Sequence, residues 1–142
     1  MMTIYFSGSI TGGRADVELY GGLVAALEAE GYRVLAGAVA AEHVTAGGEA
    51  ISRREIFDRD IGWVGDSDLV VAEVSMPSLG VGYEIAYARH VRRIPVIALW
   101  RPAHVKRCSA MIGGDPGVEL IEYDDPAAML PRLLESIRRH PR

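Results

Sequence analysis

Cysteine is nearly absent from this 142-residue chain, with Cys108 the only one. A single thiol excludes an intramolecular disulfide and any cysteine-based zinc cluster, and His43, His90, His104 and His140 are too scattered for metal-ligand spacing. No structural metal and no cofactor are expected. Long hydrophobic runs are missing as well. No stretch approaches the roughly 18 apolar residues of a membrane span, and the opening MMTIYFSGSI has neither a basic n-region nor a long h-region. Neither an anchor nor a secretory leader is read, and the expected location is the cytosol. Positive charge is also short: fifteen Lys and Arg against nineteen Asp and Glu give a formal charge of -4. That balance argues against a nucleic-acid partner, which requires clustered cations to displace counterions from phosphates. What the chain does have is 49% hydrophobic and 24% charged residues, the composition of one folded domain over 1–142 with a sizeable core.

Five short apolar runs, Thr3 to Phe6, Arg33 to Ala36, Leu69 to Val74, Pro95 to Trp100 and Val118 to Tyr123, read as strands. Helical periodicity covers Ala15 to Glu30, Ile51 to Val64, Val81 to Arg92 and Pro126 to Arg139, with a looser stretch from Pro102 to Pro116. Apolar strands alternating with amphipathic helices imply a parallel sheet covered on both faces. The expected architecture is an α/β three-layer sandwich, doubly wound and flavodoxin- or Rossmann-like, with strand order 2-1-3-4-5. Ligands in such sheets bind outside the carboxyl ends of the strands near the switch point, so the loops after strands 1, 3 and 4 are where chemistry belongs.

Glycine is in excess, at sixteen residues, and concentrates in GSITGG, TAGGE and PSLGVG. The first of these follows strand 1 as Gly8-Ser9-Ile10-Thr11-Gly12-Gly13-Arg14 and opens a helix. Glycines let backbone amides approach an anion, a helix N-terminus adds unpaired donors, and Ser9, Thr11 and Arg14 add side-chain donors. The loop is either a phosphate site or a plain βα turn; it is neither a Walker loop nor a GxGxxG motif. Asp60 lies at i+4 from Ile56 and i+3 from Phe57, on the stripe with Ile61 and Val64, so a carboxylate points toward the core side. It is either catalytic or a helix acid paired with an arginine, while Arg53, Arg54, Asp58 and Arg59 read as solvated charge. Glu84 shares a stripe with Val81, Ala88 and Val91, near a helix N-terminus that favours its ionised form. Ser78 ahead of it is a helix N-cap, an anion donor, or both. Two inward acids beside a glycine-rich loop suggest cleavage of a bond to a phosphorylated sugar by a carboxylate pair, one attacking the anomeric carbon and the other moving protons.

The stretches Tyr5-Phe6-Ser7-Gly8-Ser9-Ile10 with Gly12-Gly13-Arg14, Asp58-Arg59-Asp60 with Trp63, the block from Asp68 to Glu84, Arg101-Pro102 and Ser109-Ala110-Met111-Ile112 resemble the 2'-deoxynucleoside 5'-monophosphate N-glycosidases. These sit within the wider nucleoside 2-deoxyribosyltransferase family. The resemblance runs from Thr3 to about Tyr123 and is most specific from Asp68 to Glu84. It implies a homodimeric hydrolase that cleaves the N-glycosidic bond of a deoxynucleotide to free base and 2-deoxyribose 5-phosphate through a covalent glycosyl-glutamate.

By position, Glu84 resembles the nucleophile, Asp60 the acid that assists base departure, and Tyr5 the aromatic group that contacts the nucleophile and crowds a 2'-hydroxyl. Gly8, Ser9, Ile10, Gly12, Gly13, Ser78 and Gly80 match the nucleotide and phosphate site. Ser109, with Met111 nearby, resembles the contribution that reaches the site from the other subunit. Thr11 stands where family members often carry Arg, a lost charge for which Arg14 is the candidate substitute. The segment Gly37 to Ala50 aligns poorly in length, and His43 within it either contacts the base or is solvated. Related CMP N-glycosidases share most of these motifs but tend to have Phe at the Tyr5 position, which favours deoxy substrates here. A nucleoside deoxyribosyltransferase would also carry most of these residues. So would a nucleotide-binding module without catalytic activity, although such a module has no need of two inward acids.

Overall fold

The computed structural model describes residues 1–10, 13–37, 51–103 and 106–141. Five parallel strands form one sheet in the order β2-β1-β3-β4-β5, the order expected: β1 Thr3–Gly8, β2 Arg33–Leu35, β3 Leu69–Glu73, β4 Val96–Trp100 and β5 Val118–Glu122. The helices are α1 Arg14–Ala29, α2 Arg53–Gly65, α3 Leu79–Ala86, α4 Ala110–Gly113 and α5 Pro126–Arg138. All of β1 and β3 is buried, whereas β2 and β5 are partly exposed. Burial on both faces is why the central strands read as continuous apolar runs rather than alternating ones.

Strand alternation sorts the core into two layers. Ile4 and Phe6 of β1 face Tyr20, Leu23 and Leu27 of α1 and Met129, Leu133 and Ile137 of α5. Tyr5 faces the opposite side, with Val70 and Ala72 of β3, Val81 and Ile85 of α3 and Val64 of α2. The sheet edge that begins the strands is tied by Asp68, whose Oδ2 accepts the Thr3 N–H at 2.7 Å while its own N–H donates to the Thr3 carbonyl at 2.8 Å. The carboxyl edge, where α1 and α3 begin, is left for the site.

The helical segment after β3 departs from the expected stripe. Ala88 is buried, but Val91 is 63% exposed, because Tyr87–Arg92 is a π-helical turn. The wider turn rotates later residues away from the 3.6-residue register. Phe57 also leaves its expected stripe: it is exposed and meets Tyr83 of α3 edge-on, with ring centroids 6.3 Å apart.

Candidate active site

Glu84 is placed by a short, well-capped helix. The Ser78 hydroxyl accepts the Val81 N–H at 3.3 Å and starts α3, while Val81 and Ile85 bury against the sheet and fix its rotation. Glu84, three residues beyond Val81, thereby meets Tyr5 at the centre of the sheet, and the two side chains are hydrogen-bonded. Burial is the main reason that the Glu84 carboxyl is pushed up to about 7; donation from Tyr5 pulls it down, Asp60 raises it and Arg59 lowers it. Glu84 lies beyond the first turn of α3, where the helix dipole has faded. Burial therefore outweighs the N-terminal effect, and the ionised form expected from helix position alone is only about half populated at pH 7. Tyr5 is held far above its ordinary range, first by burial and then by the Glu84 and Asp60 carboxylates. The tyrosine is a neutral donor.

Asp60 comes from α2, which opens with a reciprocal cap: Ser52 Oγ accepts the Glu55 N–H at 3.1 Å, and Glu55 Oε1 accepts the Ser52 N–H at 3.3 Å. Buried Val64, one turn later, anchors the helix and turns Asp60 toward Tyr5 and Glu84, with which it is electrostatically coupled. Arg59 is not merely solvated charge, as its helix position suggests. Its Nε donates to Asp60 Oδ1 at 2.9 Å, and its guanidinium stacks 4.9 Å from the Trp63 ring. Gly37 closes this corner: at φ +51°, a Cβ there would lie 2.9 Å from the Trp63 ring and 3.2 Å from an Arg59 nitrogen. Arg59, Trp63 and Gly37 shape the site; Arg59 and Trp63 lie in a stretch that carries the family resemblance, but neither that resemblance nor the helix pattern gave any of the three a site role. The i, i+4 spacing of a cation and an indole is the available signal.

The glycines on either side of the loop after β1 serve different ends. A Cβ on Gly8 would meet the Tyr20 ring at 2.9 Å, and Gly13 caps α1 at φ +84°. Ser9 is buried and its N–H donates to the Tyr20 hydroxyl, while Ile10 is half-buried. Behind the loop, buried Asp16 faces Arg101 Nη2 at 3.7 Å; Glu73 accepts the Ser75 N–H at 2.6 Å and the Tyr123 hydroxyl. Thr11, Gly12, His43 and the side chain of Arg14 lie outside the described residues.

Ser78, Ser109 and Met111 are brought together elsewhere. They line a cleft of about 970 Å³ with Gly82, Ile85 and Cys108, on a wall that does not include Tyr5, Asp60 or Glu84. Leu79 and Met111 at this cleft are 97% and 84% exposed, and Ser109 and Gly80 are exposed too. Ser109 caps the short α4 through its carbonyl, which accepts the Gly113 N–H at 2.8 Å; its side chain makes no capping bond. Among the described residues no group of three or more His, Cys, Asp or Glu is arranged to hold a metal ion.

A nucleoside 2-deoxyribosyltransferase family model matches residues 4–114, which include Tyr5, Asp60, Glu84 and Ser109. A Syntrophotalea carbinolica protein that carries a 2'-deoxynucleoside 5'-phosphate N-hydrolase name is 40% identical over 136 residues, 96% of this chain and 94% of its own. The 5-hydroxymethyl-dUMP N-hydrolase of Tetraodon nigroviridis is 45% identical over 132 residues, 87% of each chain. Among solved structures, the Clostridium botulinum CMP N-glycosidase BcmB superposes with a TM-score of 0.70 at 18% identity, covering 94% of this chain and 98% of its own. BlsM superposes with a TM-score of 0.77 at 19% identity, covering 97% and 90%. These structural likenesses establish a shared fold, and the sequence matches establish more: this chain belongs to the nucleoside 2-deoxyribosyltransferase family.

Proposed function

We propose that the protein is an N-glycosidase that hydrolyses 2'-deoxynucleoside 5'-monophosphates to free base and 2-deoxyribose 5-phosphate. The observation that carries this reading is the Glu84 carboxyl, buried, hydrogen-bonded by Tyr5 and coupled to Asp60. Relatives at 40–45% identity named as deoxynucleotide N-hydrolases supply the substrate class.

In the first step an ionised Glu84 oxygen bonds to the anomeric carbon as the bond to the base nitrogen breaks. The bonding electrons leave with the base, which takes a proton from Asp60. Water then attacks the same carbon, Asp60 accepts its proton, and the Glu84–sugar bond breaks to restore the carboxylate. Tyr5 keeps its proton throughout and steadies the carboxylate. Its hydroxyl takes the place beside Glu84 where a ribonucleotide would put a 2'-hydroxyl. The residues from Ser9 to Gly13, ahead of α1 in the chain, with Ser78 and Gly80, receive the 5'-phosphate.

The working unit of this reading is a homodimer in the cytosol, where deoxynucleotides and a free thiol such as Cys108 coexist. A second copy covers the apolar cleft around Leu79 and Met111 and brings its own Ser109 to the phosphate. Two exposed large apolar side chains on one cleft support that assignment. The test is to incubate the protein with the four common deoxynucleotides and their ribo forms. Stoichiometric free base and 2-deoxyribose 5-phosphate from a deoxynucleotide are expected. Binding without turnover would instead make the protein a nucleotide-binding module.

A further inference from the structure

Ser7 follows Tyr5 by two residues on β1, so both side chains leave the same face of the sheet, the one that α3 covers. Its strand partner on that face is the small Ala72, itself paired with Ala98, so the neighbouring strands put no bulky side chain beside the hydroxyl. Ser7 is 1% exposed, and its Oγ has no hydrogen-bond partner. The same is true of one Glu84 carboxyl oxygen, Oε2. A buried polar atom left unpaired is destabilising, so two of them in one layer call for an explanation. The third such side-chain atom among the described residues, Arg101 Nε, belongs with Asp16 and Tyr123 on the opposite face of the sheet. The Ser7 and Glu84 atoms are complementary, since a hydroxyl can donate to a carboxylate oxygen.

We propose that Ser7 is a positioning residue for Glu84, whose Oε2 accepts the Ser7 hydroxyl when the carboxylate forms. With Tyr5 already bonded to the same carboxyl, the nucleophile then has two hydroxyl donors from one strand. They fix its plane, and they disperse the charge that burial disfavours. This assignment rests on Glu84 as the nucleophile. Among the described residues, the ionisable groups that act on Glu84 are Tyr5 from β1 and Asp60 and Arg59 from α2; β3 contributes the apolar Val70 and Ala72 to this layer, and Val74 follows the strand.

The experiment follows the Glu84 carboxyl by carbon-13 NMR titration in the wild type, Ser7→Ala and Ser7→Cys, beside pH profiles of kcat/KM on a deoxynucleotide. Loss of a donor to the ionised form raises the midpoint. In Ser7→Ala the titration and the acid limb should both move up by roughly half to one pH unit, a loss of about 3- to 10-fold at pH 6 that vanishes near pH 9. Ser7→Cys, a weaker donor, should fall between. Folding should hold in both, because the structure shows no hydrogen bond made by the Ser7 hydroxyl that either substitution would remove. An unshifted midpoint in both variants overturns the proposal. So does a raised KM at every pH with the limb in place, which would assign Ser7 to substrate binding. If Glu84→Gln turns over as the wild type does, the nucleophile assignment is what fails, and the NMR midpoint still reports on the Ser7 bond independently of turnover.

Discussion

The Tyr5 hydroxyl donates to the Glu84 carboxyl across the junction of β1 and α3, joining a fully buried strand to the helix that begins at the carboxyl edge of β3. This bond lowers the carboxyl's proton affinity while burial raises it, and burial wins. The Glu84 carboxyl is thus poised near neutrality rather than fully ionised.

Activity should follow that balance. With Glu84 as the proposed nucleophile the reactive form is the carboxylate, so kcat/KM should rise with pH through about 7 and then level off on this limb. Tyr5→Phe removes the donor and keeps the ring, so the limb should move upward and the rate at pH 6 should fall. The same variant should raise relative activity on ribonucleotides, since the hydroxyl that competes with a 2'-OH for Glu84 is gone. Measuring kcat/KM for dCMP, CMP, dGMP and GMP in both proteins checks both effects. A wild type that prefers the ribonucleotide would replace the deoxynucleotide assignment with a CMP N-glycosidase.

Glu84 should also cost the fold stability at neutral pH. Its folded value of about 7 lies above the ordinary 4.5, so the folded state holds a proton that the unfolded chain releases. The associated stability is complete below 4.5 and is lost as pH rises through about 7. Glu84→Gln removes the titration, so at pH 8 it should be more stable than the wild type by on the order of 3 kcal/mol. The difference should shrink toward pH 4. Paired thermal or urea melts at the two pH values measure it, and a variant less stable at pH 8 would contradict the burial argument.

Asp60→Asn should slow base release strongly, and least for substrates whose base departs without protonation. Comparing a natural deoxynucleotide with one bearing an activated leaving group separates the roles. Equal losses on both would assign Asp60 to positioning, through its bond to Arg59.

The strand order and the two inward acids are legible in the sequence because buried parallel strands and acids on apolar stripes leave strong periodic signals, whereas Tyr5 enters only through the family resemblance. Glu84 and Asp60 stand out as acids on otherwise apolar stripes. Val91 does not obey its stripe, because a π-helical turn changes the period without a Gly or Pro to mark it. Arg59 reads as surface charge because its partners, Asp60 and Trp63, become partners only when the helix packs with Gly37 behind it. The ionisation of Glu84 departs from its expected state for a related reason: helix position is written in the sequence, but burial depth is a property of the assembled layers.

Met111→Glu should break the proposed homodimer by placing a charge on the apolar cleft. Sedimentation or light scattering should then show a monomer, and activity on deoxynucleotides should fall at least about 10-fold through loss of the partner's Ser109. Mixing Ser109→Ala with Glu84→Ala subunits tests the shared site: heterodimers keep one intact centre and should recover part of the activity absent from Glu84→Ala alone. A fully active monomer would contradict the two-subunit site.

The most direct measurement is single-turnover base release from a deoxynucleotide by the wild type and Glu84→Ala, with nucleotide binding followed in parallel. Wild-type protein should release one free base for each 2-deoxyribose 5-phosphate formed, and Glu84→Ala should bind the nucleotide with near-normal affinity and release no base. A Glu84→Ala protein that releases base at close to the wild-type rate would contradict the account.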